Sequence, residues 1–305
     1  MAMRITVIFP LYYPDLQSLE RAVNGVLNQR NDGPEFEYVF IDDSGLSYDS
    51  SHLLAMLNSY GIEYKFIKNT NTHGLAGCWN SAVSNASFEY IHFVHQDDVV
   101  HEGFYKCIMG LFNLAKCVFY ATRSNYIDKN NFVFGVSPII GSGEVGSLQS
   151  RDLFYNTPIQ CSATVINKDV FIEIGGFENN YCYLLDRHLL LRLSVKGSNL
   201  ISNHIFTSYR FSDSNETSRL EKQGKIFNDY LLFREFLLNE KHDFELNSFN
   251  RKFYEWANGV RLKYINYGEF EVANEFHLRM KQYFSSFMLI RYKVKGHLIS
   301  VISKI

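Results

Sequence analysis

Two pairs of adjacent aspartates, Asp42-Asp43 and Asp97-Asp98, each follow a short apolar segment of the sequence. Neighbouring carboxylates supply the hard oxygen ligands that Mg²⁺ and Mn²⁺ prefer, and these ions commonly bring phosphate groups with them. A single aspartate in such a place often does no more than cap the next turn or helix. Because two pairs occur in one predicted sheet, the pattern favours a metal site, with Mg²⁺ or Mn²⁺ as the cofactor and a diphosphate substrate.

Strand and helix patterns alternate over residues 1–120, which is typical of strand–helix–strand units around a mainly parallel sheet. Apolar residues at helical spacing between the strands, as in 16–27, predict crossover helices. Ligands of such open sheets bind beyond the carboxyl ends of the strands, where both aspartate pairs stand. The predicted strands are Ile5–Phe9, Tyr38–Ile41, Tyr64–Ile67, Tyr90–Val94 and Val118–Ala121.

The rest of the chain divides into three stretches of different pattern. Residues 124–162 have weak periodicity and accumulate Gly and Ser, which predicts loops that cover a site. Ordered patterns then return, with strands near 163–166 and 200–207 and a helix near 184–195. From residue 216 the pattern is helical to the end, so we predict an α/β domain over 1–215 and a helical region over 216–305.

Composition excludes several classes of protein. The chain has 305 residues, of which 46% are apolar and 20% charged, and this excludes a disordered or collagen-like chain. Thirty Lys and Arg against 32 Asp and Glu give a net charge of −2, so no nucleic-acid partner is expected. The five cysteines show no C-x-x-C pair, which favours a reducing cytoplasm over a disulfide framework. No signal peptide and no spanning helix are expected, so a cytoplasmic location is predicted.

A set of short motifs recurs in a recognisable order over about residues 4–100. They are Val7-Ile8-Phe9-Pro10, Tyr13-Pro14-Asp15, Gln29, Ile41-Asp42-Asp43-Ser44, Asn71-x-x-Gly74, Asn80, Ala86, Glu89-Tyr90-Ile91 and Asp97-Asp98. In order and spacing this set resembles the family 2 glycosyltransferases of GT-A fold, and fainter landmarks extend the resemblance to about residue 215. The resemblance implies a Rossmann-like sheet in which residues 1–120 bind a nucleotide and residues 121–215 bind an acceptor, followed by the helical extension.

The resemblance also implies roles for individual residues. Asp43 would read the nucleotide base, Asp97 and Asp98 would hold the divalent metal on the diphosphate, and Asp186 would be the general base. An inverting transfer needs one carboxylate to remove the proton of the acceptor hydroxyl while a metal stabilises the departing diphosphate. As a residue in the first turn of a helix, Asp186 has a second interpretation, which is a favourable interaction with the helix dipole.

Several further residues are candidates for binding the nucleotide. Gly74 opens the helix that carries Asn80, where unpaired N–H groups favour phosphate, although an ordinary glycine turn fits equally well. Arg210 would face the diphosphate from a loop, or lie on the surface. The full candidate set for the nucleotide is Pro10, Tyr12, Asp42, Asp43, Gly74, Asn80, Asp97 and Arg210.

The C-terminal tail differs from the rest of the chain in charge. Residues 276–305 contain six Lys or Arg and no Asp or Glu, which leaves a net charge of −8 on the remainder. A basic amphipathic helix over 284–305 would lie on an anionic membrane surface, as suits an enzyme with a lipid-linked acceptor. This interpretation predicts liposome binding that weakens with salt. The alternative is a helix packed on the catalytic domain, and it predicts no such binding.

These patterns together predict an inverting, metal-dependent glycosyltransferase. It would move a sugar from UDP or dTDP to a hydroxyl of a saccharide or lipid-linked saccharide, as the resemblance implies for bacterial surface polysaccharide synthesis. A nucleotide-sugar-binding scaffold without catalysis is the alternative, favoured by His95 and Trp79, which replace the Asp and Arg usual in the family. A dinucleotide oxidoreductase and a sugar nucleotidyltransferase are disfavoured, because no glycine-rich loop follows the first strand.

Overall fold

A computed structural model of the chain describes residues 3–31, 33–70, 72–211, 216–242 and 244–284. The chain divides into two compact units, Met1–Asp213 and Ser214–Ile305. Within the described residues, the first unit combines a sheet with helices and the second is helical. The predicted α/β class and the helical C-terminal region are thereby confirmed. Of the predicted tail helix, residues 285–305 lie outside the described residues.

One mixed sheet of ten strands forms the framework of the first unit. The strands are β1 Arg4–Leu11, β2 Glu35–Asp42, β3 Lys65–Lys68, β4 Tyr90–Phe93, β5 Val99–Val100, β6 Phe119–Ile127, β7 Val133–Val136, β8 Val145–Gly146, β9 Thr164–Asn167 and β10 Asn199–Arg210. Their order is β3-β2-β1-β4-β9-β6-β10-β5, with β7 paired to β6 and β8 paired to β10.

The direction of the strands explains where the carboxyl ends gather. Strands β1 to β4 pair in parallel, as predicted, with Ile8 opposite both Val39 of β2 and Phe93 of β4. Strand β9 runs antiparallel to both β4 and β6, and β10 runs parallel to β6. Strands β1–β4, β6 and β10 therefore end at one edge of the sheet, and β9 begins there.

Helices cover the sheet and build the second unit. They are α1 Leu16–Leu27, α2 Ser51–Ser59, α3 Leu75–Val83, α4 Phe104–Leu114, α5 Lys168–Glu173, α6 Leu185–Ser194, α7 Glu216–Lys222, α8 Lys225–Asn239, α9 Leu246–Asn266 and α10 Phe270–Tyr283. Single-turn 3-10 helices lie at Ser150–Leu153 and Cys161–Ala163. None of the helices described combines the length and apolar character needed to cross a membrane.

The main core lies between the sheet and helices α1 and α4. Strand β1 is central and reads as a continuous apolar run, because both of its faces are covered. Helix α1 begins at Asp15, whose carboxylate accepts the backbone N–H of Ser18, and it buries one face that includes Leu19 and Val23. This packing holds the ends of β1, β2 and β4 in fixed positions.

The helical unit has its own core, which is mostly aromatic. The ring of Phe253 lies 4.7 Å from Phe227 and 4.9 Å from Tyr230, between α8 and α9. Gly224 precedes α8 and Gly268 precedes α10, and both have positive φ angles, of 67° and 74°. Only glycine adopts such angles without strain, so the two glycines separate the helices as their positions in the sequence predict.

Candidate active site

Four titratable residues, His95, Asp97, Asp98 and Asp186, gather at the sheet edge where β4, β6 and β10 end. We call these residues the acid cluster. His95, Asp97 and Asp98 follow β4, and Asp186 lies in the first turn of α6. The charges of all three aspartates act on His95. The structure therefore brings together the later acidic pair and the predicted general base, which are 88 residues or more apart in sequence.

The carboxylate of Asp98 is fully engaged inside the protein. Its Oδ2 accepts the hydroxyl of Ser162 at 2.6 Å and lies 3.2 Å from Nδ1 of His95. Its Oδ1 accepts the backbone N–H of Arg210 at 3.0 Å. Asp98 is almost completely buried. It therefore ties the turn after β4 to β10 and to the 3-10 helix before β9, which is a positioning role.

Asp97 presents its carboxylate differently. The backbone C=O of Asp97 accepts Nε of Arg210 at 3.0 Å, but its carboxylate receives no hydrogen bond from another of the described residues. Burial raises the pKa of Asp97 above its ordinary range, and the charge of Asp98 adds to this effect, while His95 and Arg210 oppose it. Asp97 thus has acceptor oxygens left for a ligand.

His95 carries positive charge into the acid cluster. Burial lowers the pKa of His95, but its hydrogen bond to Asp98 and the charges of the three aspartates outweigh burial and raise the pKa to about 9. The imidazole packs against Trp79 at 5.0 Å between ring centroids. Nε2 of His95 is buried and has no partner among the described residues. The histidine therefore offsets part of the negative charge of the cluster.

Asp186 has the environment of a proton acceptor. Burial raises the pKa of Asp186, and the charge of Asp98 raises it further; the positive charge of His95 and the backbone N–H of Cys161 act in the opposite direction. A carboxylate that is desolvated and placed near other carboxylates holds a proton more readily than one in water. The geometry therefore agrees with the general base that the resemblance implies, and that catalytic role stays a prediction.

Arg210 makes hydrogen bonds within the protein through every part of its guanidinium group. Nε donates to the C=O of Asp97 at 3.0 Å, Nη1 to the C=O of Asp128 at 2.8 Å and Nη2 to Oδ1 of Asn131 at 2.8 Å. The side chain is buried. Arg210 accordingly fixes the turn of the acidic pair and the turn after β6, and its predicted contact with a diphosphate stays a prediction.

Asp43 joins the ends of β2 and β3 to the start of α3. Its carboxylate accepts Nδ2 of Asn69 at 2.7 Å and the backbone N–H of Gly74 at 2.9 Å, and it lies 2.7 Å from Nδ1 of His73. Gly74 has φ of 92° and no neighbouring atom where a Cβ would stand. The two predicted nucleotide-binding residues therefore meet at one place. Asn71, of the same motif, lies outside the described residues.

Asp42, the first member of the early pair, points into the protein. It accepts Nζ of Lys68 at 2.7 Å, the hydroxyl of Ser50 at 3.1 Å and the backbone N–H of Ser44 at 2.9 Å. Burial raises the pKa of Asp42, but the hydrogen bonds from Lys68 and Ser44 outweigh burial and lower the pKa overall. These bonds order the turn after β2. The contribution of Asp42 to nucleotide binding stays a prediction, and it would act by positioning Asp43.

Asn80 uses its side-chain amide to hold a distant turn. Nδ2 donates to the C=O of Phe177 at 2.8 Å, and Oδ1 accepts the N–H of Phe177 at 2.9 Å. Gly176 has φ of 66°, and a Cβ at this position would collide with Oδ1 of Asn80 and the ring of Phe171. Glycine is required there, and Asn80 connects α3 to the turn that leads toward α6. Its predicted nucleotide contact stays a prediction.

Exposed tyrosines stand beside Asp43 at the end of β1. Pro10 is the penultimate residue of β1, and the backbone of Tyr12 exchanges hydrogen bonds with the side chain of Gln96 at 2.8 and 3.1 Å. The rings of Tyr12 and Tyr13 lie 4.8 Å apart and are each 57% exposed. Two ring faces are therefore available to a planar group held next to Asp43.

The acid cluster meets only some of the requirements of a divalent cation site. Among the residues that the structure describes, no three His, Cys, Asp or Glu side chains are grouped so that they could share a metal ion. Mg²⁺ needs no such cage, since it is often held by one or two carboxylates together with substrate phosphates. The carboxylate of Asp97 meets that need, whereas the bonds to Ser162 and Arg210 occupy Asp98.

Some residues of the site are not evident from the sequence. Ser162 donates its hydroxyl to Asp98 and accepts the backbone N–H of His95, and the backbone N–H of Cys161 supports Asp186. Both belong to the segment predicted as loops. The one weak signal in the sequence was the apolar strand β9, which follows these two residues. Because β9 runs antiparallel to β4, the residues before β9 lie at the edge where β4 ends.

Comparison with known proteins identifies the family and agrees with the fold. The family model described as glycosyl transferase family 2 matches residues 6–175. Poly(ribitol-phosphate) beta-N-acetylglucosaminyltransferase TarP of Staphylococcus aureus (strain N315) is 27% identical over 115 residues, which are 37% of this chain and 33% of TarP. The match thus spans one third of the length of that relative.

Solved structures resemble the chain more broadly. S. aureus TarS 1-349 matches with a TM-score of 0.59 at 15% identity, over 82% of this chain and 69% of TarS 1-349. The same protein in complex with UDP-GlcNAc matches with a TM-score of 0.59 at 15% identity, over 84% and 72%. GalNAc-T7 with UDP, GalNAc and Mn²⁺ matches with a TM-score of 0.52 at 13% identity, over 69% and 44%. At these identities the likeness concerns the fold, and the predicted GT-A class is confirmed.

Proposed function

The chain belongs to glycosyl transferase family 2, and on this premise we propose that it is an inverting, metal-dependent transferase that uses a UDP sugar. The single observation that carries the proposal is the acid cluster, in which the available carboxylate of Asp97 and the half-buried carboxylate of Asp186 act on the same histidine, His95. UDP is preferred to dTDP because the structurally similar TarS 1-349 forms a complex with UDP-GlcNAc. The proposal rests on this geometry together with the family.

Asp186 is the residue that we propose to remove the acceptor proton. The hydroxyl oxygen of the acceptor forms a bond to the anomeric carbon as its proton passes to a carboxylate oxygen of Asp186. The bond between the anomeric carbon and the diphosphate oxygen breaks, and UDP leaves with the electron pair. Because attack and departure occur on opposite faces, the configuration inverts. The backbone N–H of Cys161 orients the carboxylate for this step.

Asp97 is the residue that we propose to hold Mg²⁺ or Mn²⁺. When bound, such an ion neutralises the negative charge that develops on a departing diphosphate. Asp98 and Arg210 keep Asp97 in place, through the turn after β4 and the C=O of Asp97 respectively. His95 limits the repulsion between the carboxylates, so the site tolerates three aspartates before the cation binds.

The nucleotide is proposed to bind at the ends of β1 and β2. Asp43 and Gly74 fix the loop around the base, and Tyr12 offers an exposed ring on which a planar base stacks. A hydroxyl of a saccharide is proposed as the acceptor, and this differs from the poly(ribitol phosphate) for which TarP is named. The cytoplasmic location, a lipid-linked acceptor and membrane binding through 285–305 stay predictions.

A nucleotide-release assay tests the proposal. The full chain is incubated with UDP-GlcNAc, UDP-glucose, UDP-galactose and dTDP-glucose, each with Mn²⁺, with Mg²⁺ or with EDTA. We expect UDP release from at least one UDP sugar, and we expect EDTA to abolish it. Calorimetry with UDP provides the second measurement. UDP binding without turnover of any donor would contradict the proposal and favour the scaffold without catalysis.

A further inference from the structure

Four aromatic side chains, Tyr126, Phe134, Tyr209 and Phe211, form a connected surface where β6 and β10 end and β7 begins. We call this surface the aromatic platform. The ring of Phe211 lies 4.9 Å from Tyr209, 5.5 Å from Phe134 and 5.6 Å from Tyr126. Phe134 is 55% exposed and Phe211 is 43% exposed. Connected aromatic rings that remain open to solvent commonly mark a place where something binds.

The aromatic platform is held rigidly. Tyr126 of β6 pairs with Gly135 of β7, and a Cβ on Gly135 would stand 3.1 Å from the ring of Tyr126, so the ring lies over the glycine backbone. Arg210 binds the C=O of Asp128 and the side chain of Asn131 in the turn between these strands. Tyr126 and Phe134 therefore sit on a fixed hairpin, and Arg210 joins this hairpin to Tyr209 and Phe211, which lowers the entropy lost when a ligand binds.

The aromatic platform adjoins the acid cluster through Arg210, which lies between Tyr209 and Phe211. The backbone N–H of Arg210 donates to Oδ1 of Asp98 at 3.0 Å, and its Nε donates to the C=O of Asp97 at 3.0 Å. Tyr126 also interacts with Gln160, which precedes the 3-10 helix Cys161–Ala163. A ligand on the exposed rings would therefore lie beside the acid cluster that contains Asp186.

Resting on the function proposed above, we propose that the aromatic platform binds a pyranose ring of the acceptor saccharide and presents its hydroxyl to Asp186. The C–H face of a pyranose is apolar and slightly positive, and it complements the negative face of an aromatic ring. Gln160 and the hydroxyl of Tyr126 provide polar partners for the sugar hydroxyls at the inner edge. Stacking supplies affinity, and these polar groups supply orientation.

A neutral saccharide suits this surface better than a phosphate-bearing ligand. The guanidinium of Arg123 donates to the backbone C=O groups of Ser137 and Asn203. The guanidinium of Arg210 is occupied by Asp97, Asp128 and Asn131. The arginines of β6 and β10 are therefore committed to the protein. The platform itself therefore offers ring faces and neutral polar groups, and Lys129 in the adjoining turn is exposed.

A saccharide-binding experiment with the full chain tests the proposal. The probe is an array of immobilised pyranose saccharides, presented to the labelled protein in the presence of UDP. Phe134→Ala and Phe211→Ala are compared with Phe270→Ala, which removes an exposed ring from the helical unit. We expect the first two variants to bind about fivefold to tenfold more weakly than wild type and Phe270→Ala to be unchanged.

Further measurements separate the possible outcomes. The melting temperature should be equal in all four proteins, and water-dependent UDP release by Phe270→Ala should equal that of the wild type. A wild-type chain that binds no saccharide, or equal binding by all variants, would overturn the proposal. The proposal would also be overturned if Phe134→Ala and Phe211→Ala mainly reduced binding to anionic vesicles or self-association of the chain. A chain that turns over no donor, but whose Phe134→Ala and Phe211→Ala variants bind saccharide more weakly as expected, would refute the proposed function. It would still support saccharide binding by the aromatic platform.

Discussion

Asp186→Asn is expected to lower kcat/KM for glycosyl transfer by about a thousandfold, because asparagine cannot take the acceptor proton. General bases of this kind contribute factors of about 10² to 10⁴. Asparagine has nearly the same shape as aspartate, and its Oδ1 can still accept the backbone N–H of Cys161. The position of α6 should therefore be retained. Initial rates of UDP release with an acceptor present provide the measurement.

The same substitution is expected to keep or raise the stability of the protein at pH 7.5. The pKa of Asp186 is raised in the folded state, chiefly by burial. A carboxyl group whose folded pKa exceeds its unfolded pKa binds a proton more readily when folded, so stability falls as pH rises through that window. Above it, the buried negative charge is a cost that asparagine removes. Loss of activity without loss of melting temperature distinguishes a catalytic role from a structural one.

Wild-type activity should fall on the acid side at a pH above the ordinary range of aspartate, because the base must be ionised to accept a proton. Asp169→Asn is the matched control, since Asp169 also lies in the first turn of a helix, α5, but is exposed. This control should leave both rate and stability unchanged. Retention of more than one tenth of the wild-type rate by Asp186→Asn would contradict the assignment of the base.

The strand ends that carry the acid cluster could be predicted because local patterns specify them. Apolar runs at the start of the chain gave β1, β2, β3 and β4 within three residues of their observed ends. The aspartates directly beyond such runs had to reach one edge of a parallel sheet. Asp43 with Gly74, and Asp97 with Asp186, are accordingly neighbours in the structure. The strand predictions use residues close to one another in sequence, whereas the place of Asp186, 88 residues beyond Asp98, was implied by the resemblance.

What the sequence does not reveal is which way a polar side chain turns. Asp42 and Asp43 have the same type and adjacent positions, yet Lys68 binds the first, and Asn69 and Gly74 bind the second. Successive side chains of a strand point to opposite faces, but partners from other elements decide which acid is internally satisfied. Those partners come from β3 and α3, and their positions depend on the whole sheet.

The second half of the sheet was harder to predict for a related reason. Strand β9 is inserted between β4 and β6 in the opposite direction, and its neighbours are separated from it by more than 35 residues of chain. Short strands such as β7, with Gly135 in its four residues, have little periodic signal of their own. The turn between β6 and β7 is closed locally, because Oδ1 of Asp128 accepts the backbone N–H groups of Asn130 and Phe132, and Arg210 adds long-range hydrogen bonds to the same turn.

The two aspartates after β4 should separate into different roles when each is replaced by asparagine. Asp97→Asn is expected to weaken Mn²⁺-dependent UDP binding by about tenfold or more while leaving the melting temperature unchanged or higher. Its carboxylate receives no hydrogen bond from another described residue, and burial raises its pKa, so the fold gains nothing from its charge. Calorimetric titration of UDP with Mn²⁺ and with EDTA measures the loss.

Asp98→Asn should have the opposite signature, with a loss of stability of about 2 kcal/mol or more. Asp98 accepts the Ser162 hydroxyl and the Arg210 backbone N–H on separate oxygens, and asparagine has only one acceptor oxygen. The amide also removes the negative partner of the buried imidazolium of His95. Urea unfolding at pH 7.5 measures this change. Because Asp98 positions Asp97, UDP binding by Asp98→Asn should weaken as well, and this loss of binding should accompany the loss of stability.

Comparison of the two variants decides between two descriptions of the metal site. The resemblance implies that Asp97 and Asp98 both hold the metal. If so, both asparagine variants would lose Mn²⁺-dependent UDP binding at unchanged stability. If the internal bonds of Asp98 hold in solution, only Asp97→Asn will show that result. Removing Mn²⁺ from the wild type should then reproduce the binding defect of Asp97→Asn and none of the instability of Asp98→Asn, because the hydrogen bonds to Ser162 and Arg210 do not require a cation.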